Sequence, residues 1–188
     1  MGVEVFVAGI PLSSMVDAWG DLEVTWRRPH GSWEMKWGVA LAPYERPAPL
    51  VANADVYCAI GPHRIWAGNL AEPDWSSGEF VAVGAARQGE KAICFAANGW
   101  TTSVPDVAVD QAIARGAVDW TLPASISASA FSATEQTDAL NYVAALLDAY
   151  AQETKQGWWI DAYRRVRIAA APTVPSALLL PDNGVLGV

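Results

Sequence analysis

Apolar and polar residues alternate along most of the first hundred positions, with the period of two that is typical of β-strands. On either side of the turn-forming residues Pro29–Ser32, every second residue of 22–26 and of 33–37 is apolar. This pattern predicts an antiparallel hairpin whose buried face carries Trp26, Trp33 and Trp37. Short apolar runs bounded by turn residues predict further strands over residues 3–7, 54–60, 64–70 and 79–87.

Two of these strands, 64–70 and 79–87, do not alternate cleanly between apolar and polar residues. Pro73, Asp74 and the sequence Ser76–Gly78 supply the turn that joins them. A sheet with one face in water shows a clean alternation, so both faces of these strands are expected to contact protein. The covering protein is either this chain itself or a neighbouring chain.

The spacing changes to a helical period after residue 100. Ser103, Pro105 and Gly116 have the positions of an N-cap, a first-turn proline and a glycine stop. They predict a helix over Pro105–Arg115, whose apolar face consists of Val109, Ala112 and Ile113.

A second helix is predicted to follow the capping-box residues Ser132–Glu135 and to end at Gly157. Its apolar positions are Leu140, Val143, Leu147 and Tyr150, and its polar positions are Asn141, Asp148 and Gln152. A hairpin of residues 158–161 and 166–170 follows. The predicted fold is therefore α+β and mainly antiparallel β, with a sandwich or barrel over residues 1–99 and a smaller domain of two helices and a hairpin over residues 100–188.

The composition indicates a chain whose surface is partly covered by partners. Its 188 residues form one domain or two small ones, with 52% hydrophobic residues and only 17% charged residues. Soluble domains carry about 25% charged residues. The chain contains ten tryptophans, a residue type that anchors protein interfaces. A tryptophan-rich core is the alternative for each one, and the interface candidates are Trp75, Trp158 and Trp159.

The net charge of −8 argues against binding to duplex DNA, which requires a clustered basic face. The basic groups Arg27–Arg28 and Arg164–Arg165 fall at predicted turns, where they are expected to be solvated. A surface that DNA passes without binding is instead expected to be acidic or neutral.

The two cysteines, Cys58 and Cys94, lie in predicted strands without metal-binding spacing, which favours buried free thiols over a disulfide between them. A strand begins at Val3 without a cationic leader, and no apolar run is long enough to cross a bilayer. We therefore expect synthesis and folding in a cytoplasm. The C-terminal residues stay apolar up to Val188, which is typical of a fragment or of an end inside an assembly.

Catalytic, cofactor and metal motifs do not emerge from the sequence. The two histidines, His30 and His63, are isolated, and phosphate-binding, dinucleotide-binding and nucleophile-elbow motifs are absent. The best carboxylate pair, Asp106 and Asp110, is better explained by favourable charge at a helix N-terminus. We therefore predict no catalytic residues, no cofactor and no metal site.

An ordered series of motifs resembles the minor tail proteins of actinobacteria-infecting siphophages that form the hub of the tail tip. The motifs are DLEVTW (21–26), RIWAG (64–68), EPDW (72–75), TTSVPD (101–106), AIARGAVDWT (112–121) and ALLDAY (145–150). The resemblance implies a structural virion protein with β-domains related to the tail tube, longer than this chain in most members. It also implies a ring of this chain, as a homotrimer, that closes the distal tail tube.

The same resemblance implies a set of partners, namely the distal tail protein, the tape measure protein and other minor tail proteins, with genomic DNA only in transit. The implied location is the virion tail tip, after assembly in the host cytoplasm. Two other classes stay open. A carbohydrate-binding module would need exposed coplanar aromatic rings, and a glycan or peptidoglycan hydrolase would need two carboxylates facing each other across a cleft.

Overall fold

The computed structural model describes residues 2–27, 30–40, 45–94, 105–122, 141–170 and 185–187. Its strands are β1 (Val3–Val7), β2 (Ile10–Pro11), β3 (Ala18–Arg27), β4 (Gly31–Ala40), β5 (Asp55–Ile60), β6 (His63–Leu70), β7 (Glu79–Gly84), β8 (Ile93–Cys94), β9 (Asn141–Tyr142), β10 (Gln156–Ile160), β11 (Val166–Ala170) and β12 (Val185–Gly187). Its α-helices are α1 (Ala85–Gln88), α2 (Pro105–Ala114) and α3 (Val143–Thr154). The predicted α+β class with a mainly antiparallel sheet is confirmed.

One large sheet contains most of the strands, in the order β2-β1-β5-β6-β7-β4-β3-β12. All these neighbours pair antiparallel, and the hairpin β10–β11 joins the start of β4 through one parallel pair, Ile160 with Gly31. Strands β1 and β3 lie far apart in this order, yet both contribute side chains to one core, which shows that the sheet curls. Strands from both sides of residue 99 belong to this sheet, and the division of the chain into two domains stays a prediction.

The first core lies inside the curl and follows the predicted alternation. It consists of Val5, Val7, Leu12, Leu22, Val24, Met35, Trp37, Leu50, Val56, Cys58, Trp66, Leu70, Phe80 and Ala82. The prediction of three buried tryptophans on the first hairpin is wrong in part. Trp37 is fully buried and Trp26 packs half-buried on this core. Trp33 is half-buried away from it, because its ring lies under the guanidinium groups of Arg27 and Arg87.

A second core lies between the helices and the C-terminal hairpin. It consists of Ala85, Ala86, Ala92, Val109, Ala112, Val118, Trp120, Val143, Ala144, Leu147, Trp158, Ile160 and Val166. The prediction for α2 is confirmed: Val109 and Ala112 are buried, Ile113 packs beside them, and Gly116 takes a left-handed φ of 67° after the helix. Side chains at Pro105 and Asp106 lie outside the described residues.

The bounds predicted for the second helix are wrong at both ends. Helix α3 begins only at Val143, because Asn141 and Tyr142 pair with β8, and it ends at Thr154 with Lys155 as its C-cap. Lys155 takes a left-handed φ of 57°, and its N–H donates to the Ala151 carbonyl. Gly157 therefore lies in β10. The predicted capping box at Ser132–Glu135 and the position of Leu140 lie outside the described residues.

Strand β7 is shorter than predicted, because the chain turns into α1 after Gly84. Any β-carbon at Gly84 would clash with the backbone of Ser32 and Trp33, so only glycine allows this close approach. In β6, the consecutive residues Trp66, Ala67 and Gly68 are all buried. Both faces of β6 are therefore covered here, and this chain itself provides the cover.

Cys58 carries a free thiol inside the first core. Burial raises the pKa of this thiol to about 12, so it stays protonated at neutral pH. The predicted buried free thiol is confirmed for Cys58, whereas the side chain of Cys94 lies outside the described residues.

Candidate assembly interface

Trp75, the first predicted interface residue, lies half-buried at the rim of the first core. Its ring packs edge-on against Phe80 at a centroid distance of 5.4 Å, and the guanidinium of Arg46 lies 5.5 Å from its centroid. A groove of about 290 Å³ runs along it, lined also by Val51, which is 54% exposed, and Pro73. Part of Trp75 therefore stays open to a partner.

The turn that carries Trp75 is rigidly built. The Asp74 carboxylate accepts hydrogen bonds from the side chains and backbone N–H groups of Ser76 and Ser77. These hydrogen bonds lower the pKa of Asp74 to about 2, and those from the Ser76 and Ser77 hydroxyls have the largest effect. Gly78 completes the turn with a φ of 71°. The sequence-predicted turn thus holds Trp75 in place at the surface.

Trp158 and Trp159 face opposite sides of β10, as adjacent strand residues do. Trp158 is fully buried in the second core, whereas Trp159 is half-buried and lies opposite Arg167 of β11. Of this pair, only Trp159 is accessible in the described chain. Its role at an interface stays a prediction, as does that of Trp75.

Trp158 belongs to a polar contact that fastens α3 to the sheet. The Asp148 carboxylate accepts a hydrogen bond from Trp158 Nε1 at 2.8 Å, and the same oxygen lies 2.8 Å from His30 Nε2. The rings of His30 and Trp158 stack with centroids 4.6 Å apart. His30 also accepts a backbone hydrogen bond from Ile160. Asp148, predicted on the polar face of the helix, therefore points to the sheet side and orients both rings.

Arg164 forms a second junction between distant parts of the chain. Its guanidinium pairs with Asp55 and Asp119 and donates to the Gly68 carbonyl at 2.6 Å and to Asn69 at 3.1 Å. Its side chain is only 13% exposed. The prediction that Arg164 is a solvated strand end is therefore wrong: the acidic partners stabilise its charge inside the fold. Burial, partly offset by Asp55, lowers its pKa.

The neighbouring basic residues are more exposed. Arg165 and Arg167 share the carboxylate of Asp161 at 2.8 and 3.1 Å. Burial opposes ionisation of Asp161, but the hydrogen bonds from Arg165, Tyr163 and Arg167 outweigh it and lower its pKa. Arg27 pairs with Glu90 at 3.1 Å, and Arg28 lies outside the described residues.

The described residues hold no group of three or more His, Cys, Asp or Glu side chains arranged to bind a metal ion. His63 is exposed and Asp110 is exposed on α2. Within the described ranges, no helix is long and apolar enough to span a membrane.

The contacts of His30, Asp148 and Arg164 were not apparent from the sequence. Asp148 is 118 residues from His30, and Arg164 is 109 residues from Asp55, so no local pattern connects them. The sequence gives one indication only, because Arg164 lies between the apolar runs of the C-terminal hairpin. A solvated turn residue would have the same position.

The fold resembles those of two phage tail proteins. The 43 kDa tail protein of prophage MuSo2 from Shewanella oneidensis superimposes on 95% of this chain with a TM-score of 0.64 and 11% sequence identity. A tail protein from Neisseria meningitidis MC58 superimposes on 93% of this chain with a TM-score of 0.59 and 10% identity. This chain covers 57% and 52% of those proteins, so it spans about half of their length.

No protein-family model and no curated protein matches the sequence. At 10–11% identity, the two structural matches establish that this chain has a fold found in phage tail proteins. They extend over nearly the whole chain, so the similarity includes most of the large sheet.

Proposed function

We propose that this chain is a structural component of a bacteriophage tail tip, a hub that closes the distal tail tube and connects it to receptor-binding parts. The observation that carries the proposal is the fold, which matches two phage tail proteins over at least 93% of this chain. The ordered motifs that resemble those of siphophage hub proteins favour the tip over other positions in the tail.

In this role the chain is a homo-oligomeric ring, a trimer, with no catalytic activity of its own. Its partners are the distal tail protein, the tape measure protein and other minor tail proteins. The low charged fraction of 17% and the half-buried Trp75 and Trp159 support extensive contacts with such partners. The virion tail tip is its location, reached after assembly in the host cytoplasm.

Genomic DNA passes through the ring without being held by it. Charge acts over roughly 8 Å at physiological salt, so acidic or neutral residues at the lumen would prevent adsorption. The net charge of −8 supports this part of the proposal. So do the internal partners of the basic side chains: Arg164 pairs with Asp55 and Asp119, and Arg27 pairs with Glu90.

The tryptophans give the carbohydrate-binding alternative no support. No tryptophan among the described residues is exposed, and four are buried, namely Trp37, Trp66, Trp120 and Trp158. The described surface therefore offers no flat tryptophan platform for a sugar ring.

Electron microscopy tests the proposal in two ways. Negative-stain images of the purified full chain are expected to show rings with threefold symmetry. Gold-labelled antibodies against the chain are expected to bind the parent particle at the distal end of its tail. Labelling along the tube or on the capsid would contradict a hub. If the antibodies label the tip but the purified chain is monomeric, the proposed location is supported and the self-assembled ring is contradicted.

A double variant, Trp75→Ser with Trp159→Ser, tests the interface residues. It is expected to fold normally and to be left out of particles, because both rings are accessible in the single chain. Trp19→Ser is the control, since Trp19 is also half-buried on the sheet but is not an interface candidate. Normal incorporation of the double variant would exclude both residues from the interface.

A further inference from the structure

A ladder of stacked side chains crosses the outer surface at one end of the large sheet. Phe6 and Tyr57 stack with centroids 4.6 Å apart, and the guanidinium of Arg64 lies 3.8 Å from the Tyr57 centroid. Tyr163 continues the ladder 5.7 Å beyond Arg64 and is 48% exposed. We call these four residues the Arg64 surface. Such arginine–aromatic stacks are typical anchors of protein interfaces.

The charge of Arg64 has no counterpart within the described chain. Its guanidinium makes cation–π contacts but no hydrogen bond or ion pair with a described residue. Arg165 and Arg167 nearby both pair with Asp161. Glu4, which lies across β5 from Arg64, already accepts two hydrogen bonds from Ser13. Among the described residues, none accepts a hydrogen bond from the five N–H donors of Arg64, which suits this guanidinium to an acidic group of a partner.

The opposite charge is found in a groove on β3, β4 and β7. This acidic groove, of about 300 Å³, is lined by Asp21, Glu23, Lys36 and Glu79. Its three carboxylates outnumber the single ammonium, and Lys36 forms its ion pair with Glu34, at 3.2 Å. Asp21, Glu23 and Glu79 form no ion pair with any described residue. Lys36 attracts Glu23 and Glu79 electrostatically, but one ammonium does not balance three carboxylates, so the groove carries net negative charge.

The strand register places the two surfaces at opposite ends of the sheet. Glu79, at the start of β7, pairs with Gly38, whereas Gly84, at its end, pairs with Gly68 of β6. Arg64 precedes Gly68 by four residues and therefore lies beyond that second end. The separation along β7 alone is roughly 20 Å. The Arg64 surface and the acidic groove of one chain thus cannot meet each other.

We propose that the Arg64 surface of one copy docks into the acidic groove of a second copy. In this contact the guanidinium of Arg64, held between Tyr57 and Tyr163, donates hydrogen bonds to Glu23 and Glu79 of the neighbour. Two different surfaces at opposite ends give a head-to-tail contact, and such contacts build closed rings when the rotation permits. The inference rests on the ring form of the proposed function and specifies which surfaces form it.

Charge reversal of each surface tests the contact. Arg64→Glu in the full chain, and separately the pair Glu23→Lys with Glu79→Lys, are expected to weaken self-association at least about tenfold at 150 mM salt. Mass measurement in solution over a concentration series provides the readout. Arg115→Glu is the control, because Arg115 is exposed directly after α2, belongs to neither surface and is expected to change nothing. Circular dichroism verifies folding, and Arg64→Gln supplies a milder variant.

Mixing the two charge-reversed proteins tests whether the Arg64 surface and the acidic groove contact each other. The mixture retains one intact pair of surfaces, the Arg64 surface of the groove variant and the groove of the Arg64→Glu variant. Mixed dimers are therefore expected although neither protein associates alone. If Arg64→Glu associates like the wild type, or if mixing restores nothing, the inference is wrong while a ring built from other surfaces remains. A wild-type chain that stays monomeric overturns the inference as well, and the tail location is then judged by particle labelling.

Discussion

The first core lies inside one curled sheet, while the second core lies between the helices and the C-terminal hairpin. In the first core, large apolar residues such as Trp66 and Phe80 fill the curl. The second core is rich in alanine, and polar contacts position its larger residues: Trp120 donates to the Ala85 carbonyl, and Trp158 donates to Asp148. Apolar patterning thus builds the first core, and directional hydrogen bonds specify the second.

The largest effect is expected from truncation in the first core. Trp66→Ala should lower the free energy of unfolding by about 3–5 kcal/mol, because it empties a fully buried site. Urea unfolding followed by circular dichroism measures the loss. Trp19→Ala is the control, since Trp19 packs only half-buried against the same core and should cost less than half as much. Equal losses would mean that burial in the first core does not control stability.

The ion pairs of Arg164 should contribute less to the free energy of unfolding than Trp66 does, and their loss should mainly affect the C-terminal hairpin. Arg164→Met is expected to cost about 1–3 kcal/mol, less than a fully buried pair, because Asp55 and Asp119 are half exposed and regain water. Hydrogen exchange should show the loss mainly in β10 and β11. Arg165→Met, whose side chain is 45% exposed, is the control and should cost under about 1 kcal/mol. Uniform loss of protection across both cores would contradict a local junction.

A matched pair of tryptophans compares the two cores directly. Trp37→Phe removes a buried N–H that has no acceptor among the described residues, whereas Trp158→Phe removes the donor to Asp148. Both changes leave a similar void, so Trp158→Phe should be more destabilising by about 1–2 kcal/mol. Thermal unfolding of both variants measures the difference. Equal destabilisation would show that the hydrogen bond to Asp148 adds nothing to the second core.

The smallest expected effect is a pH dependence at the Asp74 turn. Folding lowers the pKa of Asp74 from 3.8 to about 2, so its ionised form stabilises the native state above pH 4. That contribution is lost as the pH falls from about 4 to about 2. The difference in unfolding free energy between the wild type and Asp74→Asn should therefore shrink over this range. A constant difference would show that ionisation of Asp74 does not contribute to stability.

Much of the fold could be predicted because it depends on local spacing. Apolar runs and the turn residues that bound them placed β3 to β7 within a few residues, and Gly116 marked the end of α2. The prediction failed where the determining contact was distant. Asn141 and Tyr142 pair with β8 instead of starting a helix, and Lys155 ends α3 although lysine gives no such signal. Arg164 looked like a solvated turn residue, since its partners lie far away in the sequence.

The sequence by itself determined the secondary structure of the sheet, the mainly antiparallel class and the chemical character of the first core, because alternation and turn residues act over a few positions. Only the tertiary structure decided which tryptophans are buried, which charges are balanced and where the unbalanced ones lie. Arg64 and Arg164 have the same side chain, yet Arg164 is enclosed by two carboxylates and Arg64 stacks between tyrosines at the surface. That difference arises from curling of the sheet and docking of the hairpin, which bring together residues that no short sequence window contains.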